Sequence, residues 1–133
     1  MSVNFSPRQF RKRSTVDHIH QIVEASGLPP SCLDIEITEG LLVDRGKPVE
    51  DMLHELADRG HAIALDDFGT GFSSMAYLKR FPVQVIKIDR VFVNELEHSG
   101  DSQAIVEAII AMSHALGKSV IAEGVETEGQ RAR

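Results

Sequence analysis

In this 133-residue chain, charged residues stand at the end of each short apolar run: Glu36 and Glu39, Asp66 and Asp67, Lys87 and Asp89, Glu123 and Glu126. Carboxylates gathered at one edge of a protein can hold a divalent cation or move a proton. The most informative stretch is Asp66-Asp67-Phe68-Gly69-Thr70-Gly71. Adjacent aspartates supply hard oxygen ligands suited to Mg²⁺ or Mn²⁺. Neighbours on a strand point to opposite faces, so both aspartates reach one site only where the strand is ending. That arrangement suits one aspartate bridging two metals while the other binds a single metal or its water. Gly69 and Gly71 permit a tight loop with close backbone approach to a ligand, and no Gly-Lys-Ser/Thr follows to make it a P-loop. Lys87 lies inside Val85-Ile86-Lys87-Ile88-Asp89, where flanking isoleucines mark a strand buried on both faces. An ammonium is costly to bury unpaired, so Lys87 is expected among the carboxylates, compensating charge or orienting a phosphate or water. Glu123 and Glu126 offer one metal ligand or general base.

The elements that must position these groups follow from periodicity. Thr15 to Ser26 places Val16, Ile19, Ile22 and Val23 on one helical face; Gly27 caps it and Pro29 and Pro30 block continuation. Leu33 to Ile37 alternates apolar and acidic residues, a strand pattern. Val49 to Arg59 is helical up to Gly60, and Ala62 to Leu65 is a short strand running into Asp66 and Asp67. A short helix over Ser74 to Arg80 precedes a strand over Val83 to Ile88. Asp101 is expected to cap a long helix carrying Ile105, Ile109, Met112 and Leu116, ended by Gly117 and followed by a strand at Ser119 to Ala122. A further strand is expected at Ser2 to Phe5, and another helix should start near the end of the chain. Strands alternating with amphipathic helices imply βα units and a parallel sheet. In such folds active sites are built at the C-terminal ends of the strands, where all the charged groups above fall.

Composition sets the bounds. The chain is 42% hydrophobic and 26% charged, about one domain with a packed core. With 14 basic and 20 acidic residues it carries a formal charge of −6, which argues against binding DNA through a broad basic face. No apolar run approaches the ~20 residues of a membrane span, so a cytoplasmic location is expected. One cysteine, Cys32, excludes an internal disulfide and is expected to be a small apolar filler. The six histidines lack metal-ligand spacing, which argues against zinc hydrolysis. The basic run Arg8, Arg11, Lys12 and Arg13 reads as a solvated surface.

Glu36-Ile37-Thr38-Glu39, Asp66-Asp67-Phe68-Gly69-Thr70-Gly71, Ile86-Lys87-Ile88-Asp89-Arg90 and Ala122-Glu123-Gly124-Val125-Glu126-Thr127 together resemble the signatures of the EAL-domain family, in its order and spacing. Val3-Asn4-Phe5-Ser6 is similar to the family's Asn-x-Ser strand end. The resemblance implies a TIM-like (β/α)8 barrel of EAL type and a bacterial signalling enzyme that hydrolyses cyclic di-GMP to linear pGpG. It implies Mg²⁺ or Mn²⁺, with a two-metal site in the complete domain. It further implies Asn4, Glu36, Asp66, Asp67 and Glu123 as metal ligands, Lys87 holding the nucleophilic water or phosphate, and Asp67 and Glu123 sharing the catalytic work. Glu39 would anchor the loop from Asp67 to Ser73, and Gly69, Thr70, Gly71, Asp89 and Glu126 would support loop and substrate. Residues 1–133 then read as a partial EAL domain of about five central βα units. The Glu-Ala-Leu strand would precede Met1 and the Gln-Gly strand would follow Arg133. An incomplete barrel exposes strand edges, so the fragment alone is expected to be poorly stable or self-associating as a homodimer or higher species; because the metal-binding glutamate of the Glu-Ala-Leu strand is missing, it is also expected to be inactive or nearly so. GGDEF or sensory domains can be fused to such a domain in the parent protein. The alternative reading is a non-catalytic cyclic di-GMP receptor, which usually lacks ligands in Asp-Asp-Phe-Gly; this chain keeps them. A barrel enzyme of enolase type would also place carboxylates on successive strands but leaves the four motifs unexplained.

Overall fold

The computed structural model describes residues 1–6, 9, 14–44, 46–69 and 75–132. Five strands, β1 (Ser2–Phe5), β2 (Asp34–Thr38), β3 (Ala62–Phe68), β4 (Val85–Ile88) and β5 (Ser119–Ala122), form one sheet in sequence order, every neighbouring pair parallel. Helices α1 (Ser14–Ser26), α2 (Glu39–Asp44), α3 (Gly46–Asp58), α4 (Met75–Arg80), α5 (Arg90–Glu95), α6 (Gly100–Ala115) and α7 (Glu128–Arg131) fill the connections, with a 3-10 turn at Pro30–Cys32. This is the run of parallel βα units that the motif pattern implies. The basic residues at 8 and 11–13 lie outside the described residues, as do Thr70, Gly71 and the rest of the segment 70–74.

Register divides the strand side chains into two faces. Ile35, Ile37, Ile63, Leu65, Ile86 and Ile88 alternate onto one face and are at most 1% exposed. Leu53 and Leu56 of α3 and Val93 of α5 belong to the same core, each fully covered. Asn4, Glu36, Ala64, Asp66, Val85 and Lys87 alternate onto the other face. The apolar residues at every second position drive the helices onto one side of the sheet. The polar residues between them are thereby committed to the other side.

Several boundaries differ from the sequence reading. The third predicted strand starts at Val85 rather than Val83, because Phe81, Val83 and Gln84 are held by turn and loop hydrogen bonds, Val83 N–H to the Phe81 carbonyl at 2.8 Å and Gln84 N–H to that of Ile63 at 2.9 Å. Ser99, not Asp101, caps α6: its hydroxyl accepts from Ser102 N–H at 3.2 Å. α5 was not anticipated at all. Cys32 is exposed rather than a filler, since the Pro29-Pro30 turn carries it to the surface. Ile22, Ile105 and Leu116 are also exposed, 57%, 41% and 38%. Ile22 lines an apolar groove of about 270 Å³ with Met1, Val3, Phe5, Ile19 and Leu28 beside β1, a sheet edge.

Candidate active site

Lys87 is where the separate strands meet. Its Nζ donates to Glu36 of β2 at 2.9 Å, and lies 3.4 Å from Asp66 of β3 and 2.5 Å from Glu123 after β5. Side-chain exposure is only 12% for Lys87, 8% for Glu36 and 14% for Asp66, rising to 37% for Glu123. Glu36 and Lys87 are two strands apart, so the lysine must cross β3. Ala64 stands in register between Glu36 and Val85, and its small side chain leaves that path open. Burial works against the ammonium, yet its hydrogen bonds to Glu123 and Glu36 and the charge of Asp66 outweigh it and hold the Lys87 pKa well above the ordinary lysine range.

Asp66 and Asp67 lie near the end of β3, which closes one residue later at Phe68. Pairing between β3 and β4 slips between Leu65 and Phe68, so three steps along β3 match two along β4. Asp67 adopts φ 56°, the left-handed conformation that aspartate tolerates better than most residues. The β-bulge takes up the extra residue, so Phe68 returns to the core at 4% exposure while Asp67 stays at the polar rim. Desolvation, the charge of Asp66 and the neighbouring Asp89 carboxyl push the Asp67 pKa up.

The remaining candidates divide. Asp89 caps α5, accepting from Val91 N–H at 2.8 Å, and contacts Asp67. Asn4 pairs in register with Glu36, placing it beside the cluster on the exposed edge strand. Glu39 opens α2 at 8% exposure, and neither carboxylate oxygen has a hydrogen-bond partner among the described residues; the loop it was expected to anchor lies outside them. Gly69 has φ 101°, but an added Cβ would meet Phe92 at 3.0 Å and Ile109 at 3.3 Å. An added side chain would therefore press on α5 and α6. Glu126 is exposed, and among the described residues it is engaged through its main chain, N–H to Gln130 Oε1 at 2.7 Å, beside the Thr127–Gln130 capping box. Gln130, buried at 9%, was missed, although Thr127-x-x-Gln130 is a readable capping signal.

As the side chains stand, no three of the described His, Cys, Asp or Glu residues form a group that could hold a metal ion. The donor set nevertheless fits a hard divalent cation: three carboxylates, with an amide oxygen and a fourth carboxylate beside them, converge on a point already occupied by positive charge.

A family model described as "EAL domain" matches residues 1–133. The chain belongs to the EAL domain family. It is 43% identical over 131 residues to the bifunctional diguanylate cyclase/cyclic di-GMP phosphodiesterase MucR of Pseudomonas aeruginosa, covering 98% of this chain and 19% of that protein. The solved structure of the MucR phosphodiesterase in complex with cyclic di-GMP superposes with a TM-score of 0.92, over 98% of this chain and 53% of that one. Klebsiella pneumoniae BlrP1, solved as a manganese/cyclic di-GMP complex, gives 0.89 at 33% identity, over 98% of this chain and 33% of that one. The EAL chain thus spans about a fifth of MucR and about half of the solved MucR chain. Among the described residues no helix is long and apolar enough to cross a membrane.

Proposed function

We propose that this chain contributes the central strands of a divalent-metal-dependent cyclic di-GMP phosphodiesterase that yields linear pGpG in the bacterial cytoplasm. One observation carries the reading: Glu36 of β2, Asp66 of β3 and Glu123 after β5 converge on Lys87 of β4. Asn4, Glu36, Asp66 and Glu123 are the residues to hold Mg²⁺ or Mn²⁺, with Asp67 serving a second metal. When bound, the metal supplies a water acidic enough to attack at neutral pH and a Lewis acid for the phosphoryl oxygens. Lys87 supplies a fixed positive charge for the phosphate or the attacking water. Glu123, the most exposed carboxylate of the cluster, can accept a proton from that water. Asp89 braces Asp67, Glu39 opens α2, and Gly69, with Thr70 and Gly71 after it, supports the substrate. Retention of every carboxylate in Asp66-Asp67 favours an enzyme over a receptor.

Because the chain spans 53% of the solved MucR chain, we further propose that strands flanking these five complete the barrel, and that alone the chain self-associates and turns over poorly. The test is chromatography of cyclic di-GMP incubated with Mn²⁺ and either this chain or the chain with flanking strands restored, beside Asp66→Asn controls. Product pGpG from the completed domain, lost in its control, is the expected result. Bound but uncleaved cyclic di-GMP in the completed domain would overturn the enzyme reading in favour of a receptor.

A further inference from the structure

Resting on the enzyme reading, we propose that Glu97 is a positioning residue: it ties the segment after β5 to the end of α5 and so holds Glu123 in place. Glu97 stands in the turn after α5, outside the Lys87 cluster. Its carboxylate accepts from the Thr127 hydroxyl at 2.8 Å. Its other oxygen lies against Gly129, where an added Cβ would overlap it, so the missing side chain makes that approach possible. Thr127 is well placed to carry the tie. Its Oγ also accepts from Gln130 N–H at 3.0 Å, and Gln130 Oε1 accepts from Glu126 N–H at 2.7 Å and Thr127 N–H at 3.1 Å. Residues 126–130 are thereby closed into one unit by their own hydrogen bonds. Among the described residues, the one hydrogen bond that joins this unit to the rest of the molecule is the bond to Glu97.

At the other end of the segment Gly124, at φ 72°, lies so close to α5 that an added Cβ would meet that of Arg90 at 3.0 Å. The segment is thus backed at both ends, by Arg90 behind Gly124 and by Glu97 at Thr127 and Gly129. Glu123 directly precedes Gly124, is 37% exposed and pairs with Lys87. Its N–H donates to the Ile88 carbonyl at 3.1 Å. Beyond that bond, the tie at Thr127 limits how far the Glu123 carboxylate can travel. A shift of about 1 Å at a reacting group costs up to about 10²-fold in rate.

Amide hydrogen exchange of this chain reads the tie. Glu97→Ala removes the acceptor and leaves the capping box intact. Exchange across residues 123–127 should rise at least about tenfold while β2 and β3 keep parent protection. Glu97→Gln keeps an oxygen for the Thr127 hydroxyl and should restore most of the protection. Gly129→Ala puts a methyl group where the Glu97 carboxylate lies. It should loosen the segment in the parent but not in Glu97→Ala, where the better helix propensity of alanine acts alone. Parent-like exchange in Glu97→Ala would overturn the proposal.

Turnover of cyclic di-GMP by the completed domain reads the consequence. Glu97→Ala should lower kcat at least about fivefold with KM within about twofold, and Glu97→Gln should recover it. A residue that serves stability alone would lower the melting temperature and leave kcat per folded enzyme unchanged; that result would overturn the positioning role. If the completed parent domain releases no pGpG, the enzyme reading fails, and the exchange result still decides whether Glu97 holds Glu123 in place.

Discussion

At the scale of single residues, charge and size rather than identity in a motif decide what each group does. Asp66→Asn removes one of the charges around Lys87 while keeping the shape of the side chain. In the completed domain it should cut cyclic di-GMP turnover by about 10² or more, since electrostatic groups at reacting centres carry contributions of that order. Unchanged turnover by chromatographic assay would remove Asp66 from the site. Gly69→Ala tests a different demand. A side chain there is strained at φ 101° and presses on Phe92 at 3.0 Å, so a loss of about 1–3 kcal/mol is expected in urea unfolding. The lysine and three acids were legible as residue types because each lies within or directly after an apolar strand run. Their convergence was not, because it depends on Ala64, an ordinary core residue in sequence, leaving room above β3.

Local sequence preference and long-range pairing compete at the scale of elements. The bulge in β3 was unreadable because it arises from the slip against β4, 20 residues downstream, and nothing local to Asp66-Asp67 specifies it. The helix α5 was missed for its brevity, six residues, although Asp89 before Arg90 is a sound cap signal. Asp89→Ala should remove the bond to Val91 N–H and cost about 1 kcal/mol, read as a lowered melting temperature. A stability change near zero would mean that packing of Val93 alone holds the helix. Helices α1 and α3 and the strands, by contrast, were legible to within a few residues. Their apolar period matches the face they bury.

The start of β3 carries a second local conflict. His61 is 1% exposed, with neither ring nitrogen in a hydrogen bond among the described residues. The Leu33 and Pro30 carbonyls favour its protonated form, while His20, edge-on at 6.3 Å between centroids, and Arg59 add like charge. Burial, above all, lowers the His61 pKa below its ordinary value near 6.5. The unfolded chain then holds more protons at and below that pH, so stability is full above about 6.5 and is lost as pH falls below it. Urea midpoints at pH 7.5 and 5.5 should therefore separate, and His61→Phe should narrow the difference. Parallel losses in both proteins would assign the acid sensitivity elsewhere.

Over the whole molecule the dominant feature is a parallel sheet with two edges. Among the described residues β1 and β5 each pair on one side only, and Ile121 of β5 is 49% exposed. Unpaired strand edges beside apolar surface favour pairing with another chain. The groove beside β1 adds Ile22 and Leu28, 57% and 52% exposed, to that surface. A second copy of this chain presents the same surface at the same concentration, and the net charge of −6 is too small to keep copies apart at physiological salt. Sedimentation velocity at 0.15 M salt should therefore show a mass that rises with concentration. Replacing both groove residues, Ile22→Glu with Leu28→Asp, should shift the distribution toward monomer while changing stability by only about 0.5 kcal/mol, because both side chains are already exposed. Restoring flanking strands should have the same effect through a different cause, by pairing the edges within one chain. A monomer at all concentrations for the parent would mean that the edges are protected by twist or charge alone. The proposed self-association would then have to be dropped.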